Sequence, residues 1–283
     1  MNVKKYRLTF IYLYFYISCM YTIAISNKKG GTGKTTLTAN IGAALHALGK
    51  NILLIDLDPQ ASLSDGLGFV PGKQTETIYD LLINPDSNGL FKQATKKISD
   101  GFFLLPNNSR ADDADIAFAG TTGRETLLSE SIASQKIKGI DFCLIDCPPS
   151  LGILAQNAFM FADSFLVPVQ PEYYAAAGLE PLFAKIKQIN SRLRKQRPLE
   201  FLGVVIEMLK PNVNEHKEKL AMVKTHFTNK LFETAIQERI VIAEAPARGQ
   251  HILSYAPNSF SAEQFKQLAK EILNKISFFQ NEK

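Results

Sequence analysis

Three cysteines in 283 residues, Cys19, Cys143 and Cys147, are too few and too irregularly spaced for a disulfide framework or a thiolate metal site. They read as the reduced thiols of a cytoplasmic protein. The four histidines, His46, His216, His226 and His251, are scattered, which argues against zinc. No repeat, low-complexity tract or long Pro/Ser/Gly linker divides the chain. Long apolar runs are lacking too: the one from Leu8 to Ile17 is shorter than the ~20 residues of a spanning helix. A decisive excess of one charge is also missing. The formal net charge is +5, but Lys4, Lys5 and Arg7, with no acid before residue 20, supply three of those charges. From Met20 onward 29 basic residues face 27 acidic ones, so charge alone does not argue for a nucleic-acid partner.

What is present suits a globular protein with a substantial core: 46% of residues are hydrophobic and 21% charged. The length allows two domains or one large α/β domain. The opening MNVKKYRLTFIYLYFYISCM has the basic start and apolar run of a signal peptide. No small-x-small cleavage site follows, however, and the strand-like YTIAIS begins at once. Residues 1–19 therefore read as an extension ahead of a natural start at Met20, and 20–283 as the domain. A membrane tether is the alternative reading of the same stretch.

From Tyr21 onward, strand and helix alternate. YTIAIS, NILLI, FFLLP, DFCLI, SFLVPV, FLGVVIE and LFETAI are apolar or β-branched stretches of strand length. Between them, helices are predicted at 35–48, 123–135, 150–160, 178–194 and 214–229. In the first of these, Leu37, Ile41, Ala44, Leu45 and Leu48 recur at helical spacing, and Gly49 ends it. The pattern predicts a single α/β domain with a mostly parallel, twisted sheet and helices on both faces. Such sheets bind ligands at the carboxyl ends of their strands, and the charged motifs of this chain fall there.

The first motif is SNKKGGTGKTT, residues 26–36, between a buried strand and a helix start. Gly30, Gly31, Thr32 and Gly33 let successive backbone N–H groups curl around a phosphate, and the helix start adds positive potential. Lys34 is placed to reach the β and γ phosphates, Thr35 to ligate Mg²⁺, and Thr36 to contact the α phosphate. This is the chemistry of an ATP-binding loop. A second motif, DLDPQ at 56–60, follows the next strand. Asp56 and Asp58 are two residues apart, so in an extended segment their carboxylates point to one side. Asp56 is assigned to the water shell of the metal and Asp58 to orienting the attacking water. Third, FCLIDCPPS ends an apolar strand on Asp146, the place of a carboxylate that holds a Mg²⁺-bound water. Cys147 beside it reads as a small packed thiol.

KKGGTGKTT, LLIDLDPQ, LIDCPPSLG, PVQPEYYAAAGL and EAPARGQ, in that order, resemble the ParA/Soj/MinD family of deviant Walker ATPases, over Met20 to about Ile276. The short Soj-type ParA proteins are the nearest in pattern. The resemblance implies a slow, Mg-dependent, partner-stimulated ATPase that forms a homodimer around two ATP molecules. It implies a lysine before the first loop glycine that touches the phosphates of the other subunit. Lys29 matches that position, with Lys28 as the fallback. It also implies cycling on non-specific nucleoid DNA under a ParB-type partner, in chromosome or plasmid segregation. The arginines by which short relatives contact DNA align with Asn212 and Val241, a departure from the pattern. Lys210 and Arg239 are the nearest substitutes, and Lys217 and Lys224 offer a second basic flank. Two rival readings stand beside this one. A MinD-like membrane-cycling ATPase would use the amphipathic C-terminal helix carrying Phe265, Leu268, Ile272, Leu273, Ile276 and Phe279. Its polar face is poor in net positive charge, so packing on the sheet is expected instead. An iron–sulfur reductase of the nitrogenase type would need paired bridging cysteines, and Cys143 and Cys147 are poorly placed for that.

Overall fold

Parallel strands that must be buried on both faces are apolar throughout, and five-residue segments of this kind form the centre of the sheet. In the computed structural model these are β1 (Tyr21–Ile25), β2 (Ile52–Asp56) and β5 (Phe142–Asp146). β2 and β5 are buried along their whole length. With β3 (Lys96–Ser99), β4 (Phe102–Leu105), β6 (Ser164–Val169) and β7 (Glu200–Ile206) they make one sheet in the order β3-β4-β2-β5-β1-β6-β7. Every pairing is parallel except β3 with β4. The residues described are 20–72, 74–87, 89–135, 137–171, 177–210, 221 and 223–281.

The connecting helices include α1 (Lys34–Ala47), α2 (Ser62–Gly66), α3 (Ile78–Ile83), α4 (Leu127–Ser134), α5 (Ile153–Phe161), α6 (Glu180–Arg192), α7 (Ile240–Ala247), α8 (Ile252–Tyr255) and α9 (Phe260–Asn281), with two short ones at Leu90–Ala94 and Ala114–Ala117. They lie in two layers with separate apolar cores. On one face Leu53, Ile55 and Ile145 meet Ile78, Leu128, Phe159 and Leu182. On the other, Ile23, Ile25, Leu54 and Leu144 meet Leu37 and Ile41 of α1 and Phe265, Leu268 and Ile272 of α9. The C-terminal helix thus spends its apolar stripe against α1 and the sheet, as its charge-poor polar face predicts. Its Phe279 side chain lies outside the described residues.

Two expectations differ from what forms. LFETAI makes no strand. It runs beside β7 and touches it through an isolated bridge, Leu231 with Val204, while the N–H groups of Phe232 and Ile236 donate to Val204 O and Ile206 O. With two such bonds and no continuous register, the segment covers the sheet edge rather than extending it. β3, conversely, was not anticipated. Its KKIS sequence alternates half-buried and exposed residues, and it pairs antiparallel at the outer edge with a bulge between Lys97 and Ser99. Of the predicted 214–229 helix, residues 223–227 are helical; Lys217 and Leu220 lie outside the described residues, as do 172–176 of the PVQPEYYAAAGL motif. Among the described residues no helix is long and apolar enough to cross a membrane.

Candidate functional site

The site is built where β1 ends. Ser26 N–H donates to Leu166 O, which keeps the chain on the sheet for one more residue before residues 27–33 turn into α1. Gly31 and Gly33 take left-handed φ angles of 70° and 89°. A side chain at either position would be strained, so the glycines are what allow the turn. Asn27 Oδ1 accepts from the Lys29 N–H at 3.0 Å, and its amide donates to Pro168 O at 2.7 Å, tying the loop to the end of β6. Gln170, just beyond β6, donates to Gly31 O at 2.8 Å. α1 starts at Gly33 with no side chain capping it, so its first N–H groups stay available to an anion.

Lys34 is buried, and its Nζ donates to Lys29 O at 3.3 Å, the same carbonyl that accepts from Thr32 Oγ1 at 3.3 Å. The ammonium is thereby curled over the loop it belongs to. Thr35 Oγ1 donates to Asp146 Oδ2 at 2.7 Å, which joins the loop to the end of β5. Asp146 Oδ1 is buried and has no hydrogen-bond partner. Across the register, Asp146 lies directly opposite Asp56 at the end of β2. Asp56 is fully buried; its Oδ2 accepts from Ser64 N–H at 2.9 Å and Ser64 Oγ at 2.7 Å, and its Oδ1 from Asp58 N–H at 3.1 Å. Burial first, and then the like charge of neighbouring aspartates, hold both the Asp56 and Asp146 carboxyls above the usual carboxylate range. A cation near them would reverse that balance. The donor set fits Mg²⁺: a threonine hydroxyl already on a carboxylate, and a buried carboxylate oxygen without a partner.

Asp56 and Asp58 do not project side by side from an extended segment. The strand ends at Asp56, the Asp58 N–H turns back onto its carboxylate, and Asp58 Oδ1 accepts from Gln60 N–H at 3.0 Å. Asp58 is left half-buried at the rim while Asp56 is sealed beneath it. Lys28, Lys29 and Gly30 are exposed at the crest of the loop. Cys143 and Cys147 are fully buried, with burial pushing both thiols well up, so neither presents a thiolate at the surface.

The basic candidates divide. Lys210 pairs with Glu238 at 3.0 Å, and neighbouring Arg239 donates to Gln237 Oε1 at 2.8 Å with its guanidinium 5.7 Å from the Phe260 ring centre. Leu209 N–H to Ile236 O and Glu238 N–H to Leu209 O bring the two segments together, so Lys210 and Arg239 share one exposed patch. Lys224 is exposed on a separate helix. Two residues that sequence reasoning passed over also stand at the loop, Gln170 and Glu207. The signal for Glu207 was available, because it is a carboxylate at the end of the otherwise apolar run FLGVVI.

A glycine loop fed by the central strand of a parallel sheet, with carboxylates at the ends of the strands beside it, places this domain among the P-loop nucleotide-binding proteins. Residues 20–199 match the family described as an AAA domain. The chain is 37% identical over 251 residues to the sporulation initiation inhibitor protein Soj of Bacillus subtilis, which covers 88% of this chain and 97% of that one. To the chromosome-partitioning ATPase Soj of Thermus thermophilus it is 36% identical over 254 residues, covering 90% and 96%. Among solved structures, cobyrinic acid a,c-diamide synthase from Mycobacterium smegmatis, with a bound ATP analog and magnesium, superimposes with a TM-score of 0.76 at 28% identity. That match covers 91% of this chain and 96% of that one. The chain belongs to the Soj/ParA family of P-loop partitioning ATPases.

Proposed function

We propose that this protein is a Mg-dependent ATPase that dimerises around ATP and cycles on non-specific DNA to partition a chromosome or plasmid, with a ParB-type partner stimulating hydrolysis. The observation that carries the reading is the pair of loop lysines in opposite settings. Lys34 is buried and folded over its own loop, while Lys29 is exposed at the crest beside it. Lys34 serves the phosphates of its own subunit. In this reading Lys29, exposed, serves those of a second.

In the proposed cycle the amides of residues 30–36 hold the polyphosphate, and Lys34 leaves Lys29 O for the β and γ phosphates. Thr35, Asp56 and Asp146 would hold Mg²⁺, which when bound neutralises charge on the β and γ oxygens. Thr36 contacts the α phosphate. Asp58, at the rim, orients the water for in-line attack. Lys29→Ala is expected to bind ATP with nearly wild-type affinity and to remain a monomer, because nothing then bridges the two polyphosphates. Light scattering behind size exclusion in Mg-ATP reads this directly. A normal ATP-dependent dimer in that variant would sink the shared-nucleotide reading.

For DNA, the patch of Lys210 and Arg239 is the first candidate, with Lys224, and Lys217 outside the described residues, as the second. Lys210→Glu and Arg239→Glu are expected to weaken ATP-dependent DNA binding about equally across sequences. Each should also lower the slope of log affinity against log salt by roughly 0.9 per lost phosphate contact. Unchanged slopes in both would move the DNA surface to the flank of Lys224.

A further inference from the structure

Glu207 directly follows β7 with its backbone fixed, its N–H donating to Val169 O and the next residue, Met208, in a left-handed conformation with φ of 56°. Its side chain is 2% exposed, and Oε1 is buried without any hydrogen-bond partner. The carboxyl lies directly against the phosphate loop. A Cβ on Gly33 would stand 3.0 Å from Glu207 Cδ, 3.0 Å from Cγ and 3.1 Å from Oε2, so Gly33 leaves no room between the two.

Among the described residues, three cations on the surrounding elements have partners other than Glu207. Lys34 Nζ donates to Lys29 O, Lys210 pairs with Glu238, and Arg239 donates to Gln237. From β6 the neighbour is the neutral Gln170, held on Gly31 O. The aspartates of the site, Asp56 and Asp146, end strands on the other side of β1, since β5 and β2 follow it in the sheet while β6 and β7 lie opposite. Burial raises the Glu207 carboxyl well above the usual carboxylate range, and the Met208 N–H opposes this only in part.

We propose that Glu207 is a proton-coupled positioning residue of the phosphate loop, which takes up a proton when a nucleotide's phosphates enter and so makes nucleotide affinity depend on pH. The proposal rests on the loop's being the phosphate site. A carboxyl packed on Gly33 cannot move away from anions held by the amides on the other side of the same turn. With no cation paired to it among the described residues, it meets them by becoming neutral. A neutral Glu207 also supports the turn without repulsion, whereas its ionised form opposes loading. Affinity therefore falls as pH rises through the range in which the nucleotide-free carboxyl ionises. The linked change approaches one proton per site, or about tenfold in affinity per pH unit at most.

The test is calorimetric titration of the full chain with Mg-ADP, in buffers of differing ionisation enthalpy, from pH 6 to 9. ADP is chosen because it loads the loop without hydrolysis. Wild type and the isosteric Glu207→Gln are compared, so proton changes of ADP itself and of Asp56 and Asp146 cancel. Greater proton uptake by the wild type, and an affinity that is less sensitive to pH in the variant, support the proposal. Equal proton counts with intact ADP binding overturn it and leave the nucleotide reading standing. Failure of the wild type to bind ADP overturns both. Should Glu207→Gln not fold, Glu207→Met takes its place in the same comparison, and equal proton counts with intact ADP binding there overturn the coupling.

Discussion

Lys34→Ala is expected to lose ATP binding while remaining folded. The lysine is buried, its Nζ donates to the Lys29 carbonyl at 3.3 Å, and Thr38 Oγ1 ties its backbone carbonyl into α1. The helix start therefore survives truncation of the side chain, and what disappears is the cation facing the β and γ phosphates. Removing one partner from a desolvated charge pair costs about 2–5 kcal/mol. This corresponds to a loss of affinity between roughly 30-fold and several thousand-fold. Titration with a fluorescent ATP analogue measures it, and circular dichroism checks the fold. Unchanged affinity would mean that the phosphates are held elsewhere.

Asp58→Ala should produce the opposite separation of binding from chemistry. Its carboxylate stands at the rim and accepts only from Gln60 N–H among the bonds described, while its own N–H satisfies Asp56. Alanine keeps that N–H, so Asp56 retains its three donors and the floor of the site is undisturbed. ATP affinity should hold or rise, since a negative charge near the γ phosphate is removed. Loss of the group that orients the water should slow phosphate release by about 10²-fold or more. The variant is then expected to collect as an ATP-bound dimer that stays on DNA. Light scattering together with a phosphate-release assay reads both effects, and wild-type turnover would remove Asp58 from the mechanism.

Much of this was legible in the chain because the relevant residues are local. The phosphate loop is contiguous, its two left-handed positions are glycines, the strand before it is an apolar run, and Leu37, Ile41, Ala44, Leu45 and Leu48 recur at helical spacing after it. Asp146 and Asp56 were identifiable as the last residues of apolar strands, and their strand partners fall in register. What escaped was set by contacts between distant segments. LFETAI has a strand's composition, yet the outer side of β7 takes it only through scattered bonds. KKIS has little β propensity and forms an edge strand because FFLL lies beside it. Glu207 and Gly33 are 174 positions apart and meet only because β7 and β1 are both drawn into one sheet.

The two borders of that sheet constrain how copies of this molecule can join. On one side β3 presents Lys97 and a bulge, features that discourage another strand from aligning there. On the other, the Val204 and Ile206 carbonyls are already occupied by Phe232 and Ile236. Among the described residues, neither border favours lateral growth, in which one sheet continues into the next. Were the proposed ATP-dependent pairing to use the rim where the strands end, a face joined to its own copy would close upon itself after two copies. The stoichiometry of such a pair would be finite by geometry, and its reversal would require separating only that one face.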